Sequence, residues 1–334
     1  MISHSDPQVP PPQIPPAQIP PPQILEIENL KVAYGDFVAL ELEELSLGTG
    51  TIGLLGPNGA GKSTLLRTIM GFRRPQRGTV KVLGLDISQH LLEVRQRIGY
   101  VPENDVMSPT RSAVSFVAYC GELCGMPRND ALQATHQVLN YVGLGDERYR
   151  KISTYSLGMR QRVKLAQALV HDPELVFLDE PTNGLDPRAR QEMLRLIREL
   201  NERRGVTVVL STHLLPDVEA ICDEVVVIGA GRKRCQGRLD ELLASANRRY
   251  ELGFVGDLER VRQSLSACGL ESELGLKGRL VLDLGIRSPS DVVLAVREAE
   301  AEIRHLAPLQ QRLEEVFLAA VRDATREGVT NAGL

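Results

Sequence analysis

Apolar positions along this chain follow two rhythms. Unbroken runs, TIGLL at 51–55, LVFLDE at 175–180 and VTVVLSTH at 206–213, read as strands buried on both faces, because a strand wetted on one side would alternate. Between them lie segments of helical spacing: KSTLLRTIM from Lys62, ALQATHQVLNYVG from Ala131, VKLAQALV from Val163 and PRARQEMLRLIRELNERRG from Pro187. Strands alternating with helices predict a parallel sheet covered on both faces, an α/β architecture. LEIENLKVAYG, starting at Leu25, alternates and reads as a half-buried strand. Past residue 235 the elements change. YELGFVG, DLERVRQSLSACG, GRLVLDLG, PSDVVLAVREAEAE, IRHLAP and RLEEVFLAAVRDA alternate strand and helix, enough for a small separate α+β unit with a boundary near Ala244.

Residues 10–24 read PPPQI, PPAQI, PPPQI, a proline repeat that removes backbone donors and favours solvated polyproline II. It reads as a tail over residues 1–24, a semi-rigid spacer or a docking site for a proline-reading partner. With 334 residues, 43% hydrophobic and 25% charged, the chain has material for one large core and one smaller one. Its net charge of −4 supplies no overall attraction to nucleic acid or anionic lipid. Five scattered cysteines suit a reducing compartment better than a disulfide framework, so the cytoplasm is expected. The longest apolar stretches fall short of the roughly 18 residues of a membrane helix, and the N-terminus lacks a secretory pattern.

The strongest local signal is Gly56, Pro57, Asn58, Gly59, Ala60, Gly61, Lys62, Ser63, a G-x-x-x-x-G-K-S loop between a strand and a helix. Glycines let successive amides turn inward around a phosphate, and the helix start adds its positive dipole end. Lys62 would bridge β- and γ-phosphates, and Ser63 would offer its hydroxyl to Mg²⁺. The bland alternative is a flexible glycine turn. Asp179 ends an apolar strand and would emerge beside this loop as a second metal group, with Glu180 next to it as the residue that polarises an attacking water. Such acidic pairs otherwise serve as helix caps or solvated turns. Farther on, Ser156-x-Gly158 before a helix is by itself only an N-cap, although a helix start is also an anion site.

Six segments in order, GPNGAGKS at 56, VPEN at 101, YSLGMRQR at 155, LVFLDEP at 175, NGLDP at 183 and STH at 211, resemble the ATP-binding subunits of ABC transporters. The resemblance covers residues 25–240. It implies a P-loop NTPase cassette with a parallel core sheet, an antiparallel β subdomain and a helical signature subdomain, followed here by the small α+β unit. It implies ATP and Mg²⁺ as cofactors, and an ATP-binding domain over residues 25–244 with an accessory domain over 245–334. In that family two cassettes pack head to tail, each nucleotide held between one phosphate loop and the other signature helix. Ser156 and Gly158 would then touch the γ-phosphate bound by the partner.

Carried over on the same basis, Tyr34 is the aromatic that stacks on adenine, at about 1–3 kcal/mol; a strand-end Tyr is otherwise half-buried core. Thr64 joins the phosphate site, His213 contacts the γ-phosphate, and Asp186 lies in the loop joining the two nucleotide sites. A lone His after an apolar strand is otherwise a satisfied structural residue. Leu157 and Met159 replace a Gly and a Gln of the signature, and Glu103 stands where Gln is usual, bringing charge to a metal-facing position. The resemblance implies an ATPase subunit of an exporter-type transporter, a second copy or similar subunit, and separate membrane permeases that hold it at the inner face of the membrane. No nucleic acid is expected as a partner. The rival readings are a soluble ABC-type ATPase on ribosomes or DNA, and a regulatory module that binds ATP without hydrolysing it. Two features stay bland: Cys120 and Cys124 lack further zinc-spaced ligands, and GRKRC at 231–235 reads as a hairpin-like turn with solvated charges.

Overall fold

The computed structural model describes residues 23–105, 107–246, 249–275, 279–285 and 287–308. β1 (Leu25–Tyr34) turns through Gly35 and Asp36 into β2 (Phe37–Leu47), its antiparallel neighbour. Ile24, assigned to the tail by the repeat, is buried, donates its amide to the Leu47 carbonyl and accepts from Leu83. The third proline unit therefore ends inside the folded body. β3 (Thr51–Leu55) runs through the glycine loop into α1 (Lys62–Ile69). β4 (Arg77–Val82) and β5 (Leu85–Asp86) then complete a four-stranded sheet in the order β2-β1-β4-β5.

α2 (Ile87–Arg97) leads to β6 (Ile98–Val101), and three helices follow: α3 (Ala113–Leu123), α4 (Arg128–Tyr141) and α5 (Leu157–Leu169). The chain continues through β7 (Leu175–Asp179), α6 (Pro187–Arg204), β8 (Thr207–Thr212), α7 (Leu215–Ile221), β9 (Glu224–Gly229), β10 (Arg232–Arg238) and α8 (Leu239–Ala246). Six strands form the central sheet in the order β10-β9-β3-β8-β7-β6, parallel except for β10. The parallel sheet read from the unbroken apolar runs is present, and those runs divide between two cores. Leu175, Phe177 and Val209 enter the core shared with α1 and the four-stranded sheet, whereas Val176, Leu178 and Val208 enter the core shared with α3, α4 and α5. Each such side chain contributes about 1.5–3 kcal/mol of burial, so a one-residue slip, which exchanges the two sets, is strongly disfavoured.

Both edges of this sheet are protected, by different means. At one edge, GRKRC differs from its expected turn. Ala230 and Gly231, at φ 49° and 75°, make the turn itself, and Arg232, Lys233 and Arg234 lie along β10 as a charged edge strand. At the other edge, α5 supplies a row of side-chain donors to β6 and the residues just beyond it. His171, just past the helix, meets the Ile98 carbonyl at 2.9 Å, Gln167 Nε2 donates to Tyr100 at 2.8 Å, and Lys164 Nζ donates to Pro102 at 3.0 Å. Two strand residues span about 6.6 Å and three or four helical residues about 4.5–6 Å, so the two ladders keep step. The helix comes close enough for this because residue 99 is glycine; a Cβ there would sit 2.2 Å from the Ala168 carbonyl oxygen.

Burial holds the His171 imidazole below its ordinary range, against the Ile98 hydrogen bond and the Asp172 charge, which both raise it. A depressed folded-state pKa means stability held above the unfolded histidine value and lost as pH falls through it. Denaturant midpoints compared at about pH 8 and about pH 5.5, either side of the ordinary histidine pKa, should fall less in His171→Gln than in the unaltered chain. An equal fall in both would remove His171 from the acid response.

The C-terminal unit comprises β11 (Arg249–Val255), α9 (Leu258–Ala267), β12 (Glu271–Leu274), β13 (Leu280–Asp283), α10 (Pro289–Glu298) and β14 (Glu302–Pro308). Its antiparallel sheet, ordered β12-β13-β11-β14, packs α9 and α10 around Leu252, Leu265, Leu280, Leu282 and Val296. β12 had no counterpart among the expected elements, residue 244 lies within α8, and RLEEVFLAAVRDA falls outside the described residues. Among the described residues no helix is long and apolar enough to cross a membrane.

Candidate active site

Parallel strands deliver their C-terminal ends to one edge, where ligands bind in open α/β sheets. Here Leu55 pairs with Thr212, Asp179 with Ser211, and Val101 with Leu178. Residues 56–63, in the loop after β3 and the start of α1, meet His213, Glu180 and Glu103 from the loops after β8, β7 and β6, so neighbouring strands bring together residues spread over the chain.

The loop enters α1 through Gly61 at φ 108°, a conformation open to glycine, and no side chain caps the helix start. Its first amides are left to an anionic ligand. Lys62 is buried, with Nζ donating to the Gly56 carbonyl at 2.6 Å and lying 3.8 Å from Glu180 Oε1. Burial holds its ammonium below the ordinary range, opposed by the charges of Glu180, Asp179 and Glu103.

Asp179 is buried at the end of β7 and accepts from the Ser211 hydroxyl at 2.9 Å. Burial pushes its carboxyl up, while hydrogen bonds from Ser211 and Ser63 pull it down. Glu180 is a non-glycine residue at φ 50°, a left-handed backbone that costs about 1–2 kcal/mol. Its carboxylate is fixed on three sides: His213 Nδ1 at 2.9 Å and Lys62 near Oε1, and Thr212 Oγ1 at 3.3 Å from Oε2. With Nδ1 given to Glu180, Nε2 is the ring nitrogen of His213 left for a ligand.

These groups face a cavity of about 410 Å³ lined by Tyr34, Pro57, Asn58, Gly59, Ala60, Gly61, Lys62, Ser63, Thr64, Glu103, Glu180 and His213. Gly56 precedes this lining in the chain, and Asp179 is not part of it. Tyr34 is 41% exposed, with the Arg73 guanidinium 4.4 Å above its ring. Phe37, Ala39 and Asn183 also line the cavity and escaped the sequence reading. An exposed aromatic three residues after Tyr34 was the available signal for Phe37.

Ser156, Gly158 and Asp186 are elsewhere. They line a second hollow of about 310 Å³ together with Met159, Arg162 and Arg188. Ser156 caps α5 by accepting from the Met159 amide at 3.3 Å, and Asp186 caps α6 by accepting from Ala189 at 2.9 Å. The N-cap reading of Ser156 thus holds within one chain. Residues on either side of Asp186 are tied to the segment after β8: Asp217, fully buried, accepts from Thr182 Oγ1 and Arg190 Nε, both at 2.5 Å.

The model of the family described as ABC transporter matches residues 44–183. An uncharacterized ABC transporter ATP-binding protein of Nostoc is 36% identical over 81% of this chain and 79% of its own length. The chain belongs to the ABC transporter ATP-binding proteins. The Nod factor export ATP-binding protein I of Cupriavidus metallidurans is 34% identical over 88% of this chain and 96% of its own. Among solved structures, cbiO1 from Clostridium perfringens, part of the ABC transporter complex cbiONQ, aligns with a TM-score of 0.60 at 27% identity, covering 73% of this chain and 95% of that one. The fold is the ABC cassette expected from the ordered motifs, and its ligand is a nucleotide.

The residues around this ABC site fit Mg²⁺: Ser63, the buried Asp179 and Glu103 are hard oxygen donors beside the phosphate loop. Among the described residues no group of three or more His, Cys, Asp and Glu side chains is arranged to hold a metal by itself. Burial pushes the Cys120 thiol up to about 11 and raises Cys124 as well, which disfavours the thiolates a zinc site needs.

Proposed function

We propose that this chain is the ATP-hydrolysing motor of an exporter, with residues 25–244 as the ATP-binding domain and 245–334 as an accessory domain. The reading rests on Glu180, held in the phosphate cavity by Lys62, Thr212 and His213 on a strained backbone. Strain of that size is kept where a side chain must be aimed. On nucleotide binding, Lys62 exchanges the Gly56 carbonyl for phosphate oxygens, while the loop amides and the start of α1 hold the β-phosphate. Tyr34, backed by Arg73, offers its free face to adenine. Glu180 orients the attacking water and takes up its proton, and His213, aligned by Glu180, faces the γ-phosphate. Ser63, Asp179 and Glu103 would hold Mg²⁺, which would supply positive charge against that of the phosphates.

The second hollow supports a dimer. Ser156 and Gly158 sit at a helix start apart from the phosphate cavity, so in this reading they close on the nucleotide of a second copy, with Asp186 between the two sites. Two copies, or this chain and a similar subunit, would close on ATP and reopen after hydrolysis, driving permeases at the inner face of the membrane. Export follows the relative whose name carries it. The test is purification of the full chain from detergent extracts with phosphate release assayed. A membrane protein in the complex and Mg²⁺-dependent turnover are expected; recovery with ribosomes or DNA alone would overturn the reading.

A further inference from the structure

Lys164 is a cation inside an apolar helical run, and the nucleotide chemistry described above makes no use of it. Its side chain is 1% exposed. Burying a charged amine is costly unless several acceptors surround it, and here they do. Nζ donates to the Glu103 carbonyl at 2.8 Å and the Pro102 carbonyl at 3.0 Å, and lies 3.4 Å from Asp105 Oδ1. Arg160, one turn earlier on α5, places Nε 3.3 Å from the other Asp105 oxygen. Burial lowers the Lys164 ammonium, with Asp105 opposing it most strongly among the charges.

The contacts continue along the following segment. Ile152 donates to the Arg111 carbonyl and Ser153 to that of Pro109, both at 2.9 Å, and Ser112 bridges Lys151. The residues leading into Ser156 and those following Glu103 are thus bonded at successive points, with Lys164 at the end nearest the cavity. Two backbone bonds to residues 102 and 103 fix where the Glu103 side chain starts, although that side chain is itself exposed.

We propose that Lys164 is a positioning residue: through the Pro102 and Glu103 carbonyls and Asp105 it aims the Glu103 carboxylate toward the place where Ser63 and Asp179 would hold Mg²⁺, and locks that segment to the Ser156 helix. The proposal rests on the metal role given to Glu103.

The test uses the full chain with Glu180→Gln, to suppress turnover, and fluorescent mant-ATP titrated with and without Mg²⁺. Lys164→Met should leave Mg²⁺-free affinity unchanged and reduce the strengthening by Mg²⁺ about tenfold, the usual scale for a residue behind a metal ligand. Asp105→Ala, at a half-exposed position, should give the same change in smaller measure and serves should Lys164→Met fold poorly. In a Glu103→Gln background, Lys164→Met should have no further effect on the Mg²⁺ response. Equal losses with and without Mg²⁺, or losses that multiply with Glu103→Gln, would overturn the positioning role. An unchanged Mg²⁺ response in Glu103→Gln alone would remove the metal role from Glu103 and the proposal with it; the ATP-binding reading would still stand on the Mg²⁺-free titration.

Discussion

Glu180→Gln should bind ATP at least as tightly as the unaltered chain yet turn it over at least about 100-fold more slowly, the scale expected when a general base is lost. The geometry explains the split. The phosphates are to be held by the loop amides, the start of α1 and Lys62, none of which the amide replaces. Gln keeps the shape and can still meet Thr212 and His213, but it cannot take up a proton. It also removes the carboxylate 3.8 Å from the buried Lys62 ammonium, freeing that cation for phosphate and favouring retention of ATP. Slowed reopening should therefore accompany slowed chemistry, and the variant should elute as a dimer with ATP and Mg²⁺. Rapid-quench phosphate release and gel filtration read the two effects separately. Unchanged turnover would take the base away from Glu180, and a monomer with bound ATP would take away the clamp.

Most of the phosphate side of this site is legible in the chain because its determinants are local. A glycine loop is eight consecutive residues, and Asp179 and Glu180 follow an apolar run whose end marks the edge of the sheet. The two-faced burial of β3, β7 and β8 leaves unbroken apolar runs, which is why the parallel sheet could be read directly. What escaped is decided by long-range pairing. β12, ESEL, has little strand propensity and sets Glu271 opposite Asp283; pairing with β13 overrides its composition. Thr182 and Asp217 are 35 residues apart, and only the return of α7 brings them together. Lys164 left a signal that went unread. A cation amid the small and apolar residues of VKLAQALV poses a question of partners, whose answer is two carbonyls just beyond an edge strand, more than 60 residues upstream.

Ser156→Arg should abolish most hydrolysis while leaving mant-ATP binding by the same chain within about twofold, because Ser156 lines a hollow separate from the phosphate cavity. The decisive experiment mixes two inactive chains. Lys62→Ala loses its own phosphate cradle but keeps its Ser156 helix; Ser156→Arg keeps the cradle and loses the helix contact. If each nucleotide lies between one chain's loop and the other's helix, a mixed dimer contains one site built from two intact halves and one built from two damaged halves. Equal mixing makes about half the dimers mixed, each with one of two sites working, so turnover should return to about a quarter of the unaltered value. No arrangement that keeps the nucleotide within one chain produces this recovery, since each chain would carry its own defect into every dimer. Absence of recovery in mixtures that contain mixed dimers, or loss of mant-ATP binding in Ser156→Arg itself, would return Ser156 to the plain helix cap it forms within one chain, accepting from Met159.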